Sequence, residues 1–199
     1  RFIASLKFNV TSAGGSITGK GLRMDAAVGC LSKEHSAREE RLCALLLGLM
    51  RAHGRDEIIE ILRQSARSII EADAVAIVVR EGDSVHYVAE DSSSPLFLGA
   101  SFSIGECLSG LAIADGTGLV VADVMNDPRA LREAYAPTFI RSLAIAPIGT
   151  PCAVAAIVAY WCKDGAPDPA AVRRLDLLAE TASSSLERQS ASALAGQRE

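Results

Sequence analysis

The spacing of apolar residues predicts helices near both ends of the chain. Residues 32–52, about 57–71 and about 168–192 each carry an apolar stripe at helical spacing, with charged residues between. Asp56 is placed to cap the second helix, because its carboxylate can accept a free backbone N–H. The stripes are Leu42, Leu45, Leu46 and Leu49; Ile58, Ile61, Leu62, Ala66 and Ile69; and Leu175, Leu178, Ala182 and Leu186.

Between these helices the hydrophobic pattern changes to that of strands. Short turns at residues 81–83 and 149–151 join neighbouring apolar runs, which is typical of β-hairpins. Hairpin-linked strands with helices segregated around them predict an α+β fold with an antiparallel sheet. The predicted strands are Ala74–Arg80, Ser84–Ala89, Phe97–Ile104, Leu119–Ala122, Leu143–Ile148 and Ala153–Cys162.

Composition narrows the class of protein. The 199 residues are 49% hydrophobic and carry a net charge of −4, so we expect one buried core and no nucleic-acid partner. The five cysteines form no CxxC pair, which argues against a disulfide framework or a zinc site and favours the cytoplasm. No apolar run approaches the ~18 residues that a membrane span needs, so no membrane partner is expected.

Residues 104–149 contain the most informative motifs. In order, they are Gly105, Cys107, Ser109-Gly110, an apolar helix-like run, Thr117-Gly118, the strand from Leu119, the segment Asp123-x-x-x-Asp127-Pro128-Arg129, and the strand from Ser142 to Pro147-Ile148. Together with Ala159-Tyr160-Trp161 in the last strand, this order resembles the GAF domain of bacterial sensor kinases and other signalling proteins. The resemblance covers about residues 57–190.

The resemblance implies a fold and a class of function. It implies a GAF-like, PAS-related antiparallel sheet of five or six strands flanked by helices, with the N- and C-terminal helices packed together. It also implies a sensory or regulatory module that binds a small molecule between the sheet and residues 105–140. We expect residues 1–31 to be a flexible or non-native extension, 32–53 a signalling helix, 54–192 the GAF domain and 193–199 a tail.

Eight residues are candidate ligand contacts on this basis. Asp127 is expected to cap a helix that begins at Pro128, and Arg129 either faces a ligand carboxylate or phosphate or pairs within the chain. Near-complete filling of the pocket by apolar side chains would favour a module that binds nothing and only dimerises. The candidates are Phe102, Cys107, Leu111, Asp127, Arg129, Tyr135, Phe139 and Tyr160.

No catalytic residue, metal site or cofactor is predicted. Cys107 matches a cysteine of free methionine-R-sulfoxide reductase, an enzyme with this fold, but residues 123–146 lack the further cysteine that its chemistry needs. Residues 129–141 lack the Cys or His that would hold a bilin. His86 is the one candidate haem ligand, since its strand could present it to the pocket. The expectation is a non-enzyme, with the reductase as the alternative.

The partners expected are an unidentified small molecule, an effector domain such as a kinase or cyclase outside this chain, and a second copy. The homodimer is predicted through the terminal helices, because Leu42, Leu45, Leu49 and Ala52 precede the core helix and have less sheet to cover. A short isolated helix is marginal in water, so these leucines would pack against a partner copy.

Overall fold

A computed structural model describes the backbone of residues 21–196 and the side chains of residues 36–191. Residues 1–20 and 197–199, which hold much of the predicted extension and tail, lie outside the described residues. The chain divides into two compact units, 1–38 and 39–199, and every packing contact below lies within the second. The helices are α1 Gly21–Arg51, α2 Arg55–Ile70, α3 Leu108–Asp115, α4 Arg132–Tyr135 and α5 Pro169–Gly196. The strands are β1 Ala74–Glu81, β2 Ser84–Ser92, β3 Ser101–Ser103, β4 Leu119–Val121, β5 Ser142–Ile148 and β6 Ala155–Trp161.

The strands form one six-stranded antiparallel sheet in the order β3-β2-β1-β6-β5-β4. The first strand pairs with its hairpin partner β2 on one side and with β6 on the other, so it lies at the centre of the sheet. The α+β prediction with a sheet of five or six antiparallel strands is confirmed.

The central strands are buried on both faces, and this divides the core in two. Along β1, Val75, Ile77 and Val79 pack with α1, α2 and α5 in what we call the helix-side core. The alternate residues Ala74, Ala76 and Val78 pack in the site-side core, between the sheet and residues 105–140. Successive side chains of a strand point to opposite faces, so one strand serves both cores.

The leucine stripe of α1 is buried within the chain. Leu49 and Leu45 are 0% and 5% exposed and belong to the helix-side core, and Leu42 packs against that core. α1 lies along α2, where a β-carbon at Gly48 would be 3.8 Å from Ile61 Cδ1. The expectation that these leucines need a partner copy for their burial is therefore wrong. Dimerisation through the terminal helices stays a prediction, without this stripe as its support.

The end of α1 is tied directly to α5. Arg188 Nη2 donates to the backbone oxygen of Met50 at 2.9 Å, and Gln189 Nε2 donates to that of Ala52 at 2.7 Å. The last carbonyls of a helix have no partner inside it, so these side chains supply the missing donors. The predicted packing of the N- and C-terminal helices against each other is confirmed. We call this pair of hydrogen bonds the α1–α5 tie.

Several element boundaries differ from those predicted. α1 begins at Gly21 rather than at residue 32. The N-cap of α2 is Gly54, and Asp56 lies inside the first turn, while Glu57 accepts from the His53 backbone N–H at 2.7 Å. The predicted strand at 97–104 shortens to three residues because residues 97–100 form a turn, in which Ala100 N donates to Phe97 O at 2.8 Å.

The start of α3 lies close to the turn that precedes it, and a substitution at Gly110 tests this packing. A β-carbon at Gly110 would stand 2.2 Å from the backbone oxygen of Ile104, so Gly110→Ala must displace the main chain. We expect this substitution to lower the free energy of unfolding in urea by about 3 kcal/mol. Gly105→Ala is the matched control, because nothing lies within 4 Å of its β-carbon. Equal stability of the two variants would contradict the described packing of α3.

Candidate functional site

Five aromatic side chains from different elements meet in the site-side core. The ring centroid of Phe97 is 5.2 Å from that of Tyr87, 6.3 Å from Phe102, 5.5 Å from Tyr135 and 6.1 Å from Tyr160. The pairs of Phe97 with Phe102 and Tyr135 are edge-to-face, at interplanar angles of 81° and 77°, an arrangement that aromatic quadrupoles favour. We call these five residues the aromatic cluster.

A carboxylate holds Phe97 at the centre of this cluster. Glu90, on β2, accepts backbone hydrogen bonds from Leu96, Phe97 and Leu98 at 3.2, 3.0 and 3.0 Å. A charged acceptor strengthens each of these bonds. The turn after β2 is thereby fixed, and the Phe97 side chain is held under the sheet.

A short chain of polar groups borders the cluster. The Tyr87 hydroxyl and the Ser109 hydroxyl are 3.0 Å apart, and Ser109 Oγ is 3.4 Å from the Cys107 thiol. Cys107 is the N-cap of α3, where its sulfur accepts from the Gly110 backbone N–H at 3.3 Å. All three side chains are buried. The start of α3 therefore presents a thiol and a hydroxyl to the aromatic rings.

The hydroxyl of Tyr160 is different, because its hydrogen bond with the Tyr87 hydroxyl is weak and lies outside the ordinary range of distance and angle. Tyr160 lies on β6 and is 0% exposed, so water does not reach its hydroxyl. A weak hydrogen bond recovers only part of the cost of burying a polar group, which is about 1–3 kcal/mol when the group is unpaired. Buried side-chain atoms without a well-formed hydrogen bond also occur on Arg174 and Ser185, outside the aromatic cluster.

Burial keeps the three tyrosines uncharged. Burial raises the pKa of Tyr87 to about 12, against the effect of the Ser109 hydroxyl. Burial also raises the pKa values of Tyr135 and Tyr160 well above their ordinary value. For Tyr160 the nearby Tyr87 and Tyr135 hydroxyls and the Glu90 carboxylate add to this rise. The cluster is therefore neutral throughout the physiological pH range.

The cavity left inside the cluster is small. It measures about 10 Å³, roughly the space for one water molecule, and is lined by Tyr87, Phe97, Phe102, Cys107, Leu131, Ala134 and Tyr135. Three of these residues come from α4 or its first flank. A ligand larger than water would therefore need α4 to move outward from the sheet.

Of the eight predicted contacts, the structure brings four together: Phe102, Cys107, Tyr135 and Tyr160. Phe139 packs against the same core. Leu111 is half-buried on α3 and belongs to neither core. Asp127 and Arg129 also lie outside the site-side core.

The Asp127-Pro128-Arg129 segment forms a self-contained turn. Asp127 Oδ1 accepts from the backbone and the Nε of Arg129, both at 2.9 Å, and Oδ2 accepts from Arg129 Nη2 at 2.6 Å. The predicted helix beginning at Pro128 is wrong, since α4 begins at Arg132 and has no side-chain cap. Of the two alternatives for Arg129, the structure shows the internal pair.

His86 does not reach the cluster. It neighbours Tyr87 on β2, so its side chain points to the other face of the sheet, and its Nε2 lies 3.8 Å from Glu81 Oε2. The expectation that this strand could present His86 to the pocket is wrong. Among the described residues, no group of three or more His, Cys, Asp or Glu side chains could hold a metal ion. No helix within that part of the chain is long and apolar enough to cross a bilayer.

Sequence analysis missed Tyr87, Phe97 and Ser109. Tyr87 could have been found from strand alternation, because it shares a face of β2 with the buried Val85. Phe97 was assigned to a strand, which hid its role at the centre of the cluster. Ser109 was part of a motif but gives no signal of its own.

A wider groove lies on the other side of the sheet. It measures about 540 Å³ and runs between α5 and β5, where Ala146 and Ala179 of the helix-side core form its floor. Its rim carries Asp176, Glu180 and Glu187. Burial, and then the neighbouring Glu180, raises the pKa of Asp176. This open groove is lined by acidic and hydroxyl side chains but by no aromatic ring, so the aromatic cluster remains the candidate site.

Comparison with known proteins agrees with the architecture. A family profile described as GAF domain matches residues 52–187. No curated protein matches the sequence significantly.

Solved structures share the fold at low sequence identity. They include free methionine-R-sulfoxide reductase from Neisseria meningitidis in complex with its substrate, at 16% identity and a TM-score of 0.64, covering 78% of this chain and 91% of that one. The GAF domain of an Acinetobacter phosphoenolpyruvate-protein phosphotransferase is 15% identical, with a TM-score of 0.64, and the match covers 78% of this chain and 95% of that one. The phycocyanobilin-bound GAF domain of a cyanobacterial phytochrome is 14% identical, with a TM-score of 0.59, and the match covers 76% of this chain and 94% of that one.

The aromatic cluster predicts an unusual alkaline titration. The chain has three tyrosines, and all three lie in the cluster, so absorbance of tyrosinate near 295 nm reports this site alone. A raised pKa in the folded state means stability that is present below pH 10 and is lost as pH rises toward 12. We expect no tyrosinate signal near pH 10 until unfolding, and a loss of about 1.4 kcal/mol per pH unit for each tyrosine.

The control for this titration is the chain unfolded in guanidinium, in which all three tyrosines should ionise near pH 10. A native protein that gains tyrosinate absorbance near pH 10 while its circular dichroism is unchanged would show that a hydroxyl of the cluster is open to water.

Proposed function

This chain belongs to the GAF domain family, and we propose that it is a sensory or regulatory module of a bacterial signal-transduction protein. In this proposal the aromatic cluster receives a small molecule, and the terminal helices pass the change to an effector domain, such as a kinase or cyclase, outside this chain. Related folds in a phosphotransferase and a phytochrome support a signalling role.

One observation carries the proposal: the site and the terminal helices share the same strands. On β6, Tyr160 and Val158 face the site, while Ala159 and Ile157 face α2 and α5. Interiors are close-packed, so a strand displaced on one face cannot keep its packing on the other. A ligand that moves the sheet at Tyr160 therefore changes the surface on which α5 lies.

The α1–α5 tie is the contact between the terminal helices that this displacement would change. The hydrogen bonds from Arg188 and Gln189 to the end of α1 require the two helices to keep one relative position. A ligand changes that position only to the extent that it binds two states of the domain with different affinity. In this proposal the signal is a change in the fraction of molecules in which the hydrogen bonds of the α1–α5 tie are formed.

A purely structural role is the rival proposal, and the small cavity favours it. A volume of about 10 Å³ fits a domain that binds nothing and only links or dimerises its neighbours. The buried hydroxyls of Tyr87, Tyr135 and Tyr160 argue the other way, because phenylalanine at these positions would fill the same space without buried polar groups.

An enzymatic role is the second rival, since a reductase shares the fold. Cys107 would be the reacting thiol, but it is buried, and its sulfur accepts a backbone hydrogen bond within α3. The other cysteines with described side chains, Cys43, Cys152 and Cys162, are exposed, and none forms a disulfide. Among the described cysteines Cys107 is the buried one and the others are exposed, so none of them is placed to complete a disulfide-forming cycle with it.

The relay is tested by amide hydrogen exchange. Tyr135→Ala removes one wall of the cluster without touching a terminal helix. We expect faster exchange at the end of α1, near Ala52, and in α5 near Gln189, beyond what the lower global stability accounts for. Leu98→Ala is the control, because Leu98 is 60% exposed and outside both cores.

Coupling between two sites is reciprocal, which gives a second arm of the same test. Gln189→Ala breaks one bond of the tie and should shift the ring signals of the three tyrosines in a ¹³C-tyrosine NMR spectrum. Tyrosine signals that stay unchanged, together with exchange in α1 that follows global stability alone, would reject the relay.

The enzyme alternative is tested by Cys107→Ser. Serine is a good N-cap and nearly the size of cysteine, so the variant should keep its stability within about 1 kcal/mol. We expect no reduction of free methionine-R-sulfoxide by either protein in the presence of a dithiol. Turnover by the unmodified protein that survives Cys43→Ser and disappears in Cys107→Ser would establish the reductase instead.

A further inference from the structure

We propose that two copies of the chain form a parallel dimer in which the exposed face of α1 of each copy packs into the groove between α5 and β5 of the other. This face consists of Cys43, Leu47 and Met50, and we call it the outer face of α1. The sequence predicted a homodimer through the leucine stripe, which is buried, whereas this contact uses the opposite side of the same helix. It goes beyond the proposed function and does not depend on a ligand in the aromatic cluster.

The outer face of α1 is apolar although it is exposed. Leu47 and Met50 are 51% and 55% exposed, and Cys43 is exposed as well. The three residues are four and three positions apart, so they form one stripe, on the side of the helix away from the buried Leu45 and Leu49. Single exposed apolar residues are common, but a contiguous stripe on about two turns of one helix indicates a contact surface.

The groove offers a floor on which such a helix can pack. Its floor includes Gly118 and Ala146 of the sheet edge and Ala179 of α5, all of them small. Val120 of the edge strand β4 is 46% exposed and pairs with Ala144 of the helix-side core, so it faces the same side of the sheet. Neighbouring helices pack about 8–10 Å apart, so a further helix can lie alongside α5 over this floor.

Charge complementarity favours the outer face of α1 as the occupant. Asp176, Glu180 and Glu187 line the groove, and among the described residues no ion pair or hydrogen bond neutralises them. Arg51 directly follows the outer face, and Arg55 begins α2; both are exposed and likewise have no partner in that part of the chain. Arginines beside an apolar stripe thus match carboxylates around an apolar floor, and both surfaces belong to the same chain.

The lengths of the two surfaces also agree. The acidic residues of the groove span positions 176–187 of α5, about 16 Å, and the outer face with the arginine after it spans positions 43–51, about 12 Å. Each copy offers one outer face and one groove, so two such contacts related by a two-fold axis close a dimer.

The direction of the helices identifies one pair of charges in this dimer. α1 and α5 run in the same direction, and Arg188 Nη2 donates to Met50 O, so the end of α1 is level with Arg188 along the helix axis. A two-fold axis parallel to these helices keeps every residue of the partner at the same level. Arg51 therefore meets Glu187 of the partner subunit.

Light scattering of the full chain at micromolar concentration tests the dimer, and we expect twice the mass of one chain. Leu47→Asp places a carboxylate among the carboxylates of the groove, so the dimer Kd should rise by at least about a hundredfold. The urea midpoint of the single chain should not change, because Leu47 is exposed in it. Leu98→Asp is the matched control: Leu98 is 60% exposed and far from α1 in the sequence, and this variant should remain a dimer.

A charge exchange tests whether the groove is the surface that receives α1. Arg51→Glu alone and Glu187→Arg alone should each raise the dimer Kd about tenfold or more, because each places like charges together in both contacts. The two substitutions combined should return the Kd to within about threefold of that of the unmodified chain.

Three results would overturn the proposal. A chain that stays monomeric at millimolar concentration would show that a second copy is not the occupant of the groove. A dimer that persists in Leu47→Asp, or a combined variant that dimerises no more tightly than Arg51→Glu alone, would show that the copies meet through another surface. None of these results bears on the relay from the aromatic cluster, which hydrogen exchange tests separately.

Discussion

The burial of the central strands on both faces is the constraint on which the rest of this structure depends. Residues 74–79 are buried without interruption, because even positions support the aromatic site and odd positions support the helices. Such a strand has no solvent-facing side to absorb a change in shape. The site and the helical layer consequently pack on opposite faces of the same strands, and a movement of these strands on one face has to be accommodated on the other.

Within that constraint, the site-side core carries more polar groups than packing requires. Three tyrosine hydroxyls, a thiol and a serine hydroxyl are buried there, and the hydrogen bond of the Tyr160 hydroxyl is weak. Burial without compensation is unfavourable, so a core under selection for stability alone would contain phenylalanine at Tyr160. The site-side core is therefore neutral and rich in hydroxyl groups, in contrast to the aliphatic helix-side core.

The sequence allowed the sheet, the main helices and the GAF resemblance to be predicted, because each depends on local periodicity or on the order of motifs. It also placed Cys107, Tyr135 and Tyr160 in the site. Strand alternation would have placed Tyr87 there as well, but Phe97 could not be placed, since its position depends on a turn that the Glu90 carboxylate fixes. The pairing of Arg129 with Asp127, and the burial of Leu49 by its own chain, likewise depend on tertiary contacts that periodicity does not contain.

The course of α1 and α5 has a consequence for how this domain can be joined to others. Residues 41–48 of α1 lie beside residues 61–69 of α2, and Arg174 near the start of α5 donates to Ile70 at the end of α2. At the other end, Gln189 meets Ala52. The two terminal helices therefore run in the same direction along the sheet. Residues 41 and 189 lie at opposite ends of the helical layer, a geometry that suits insertion in series between two other domains rather than attachment as a side branch.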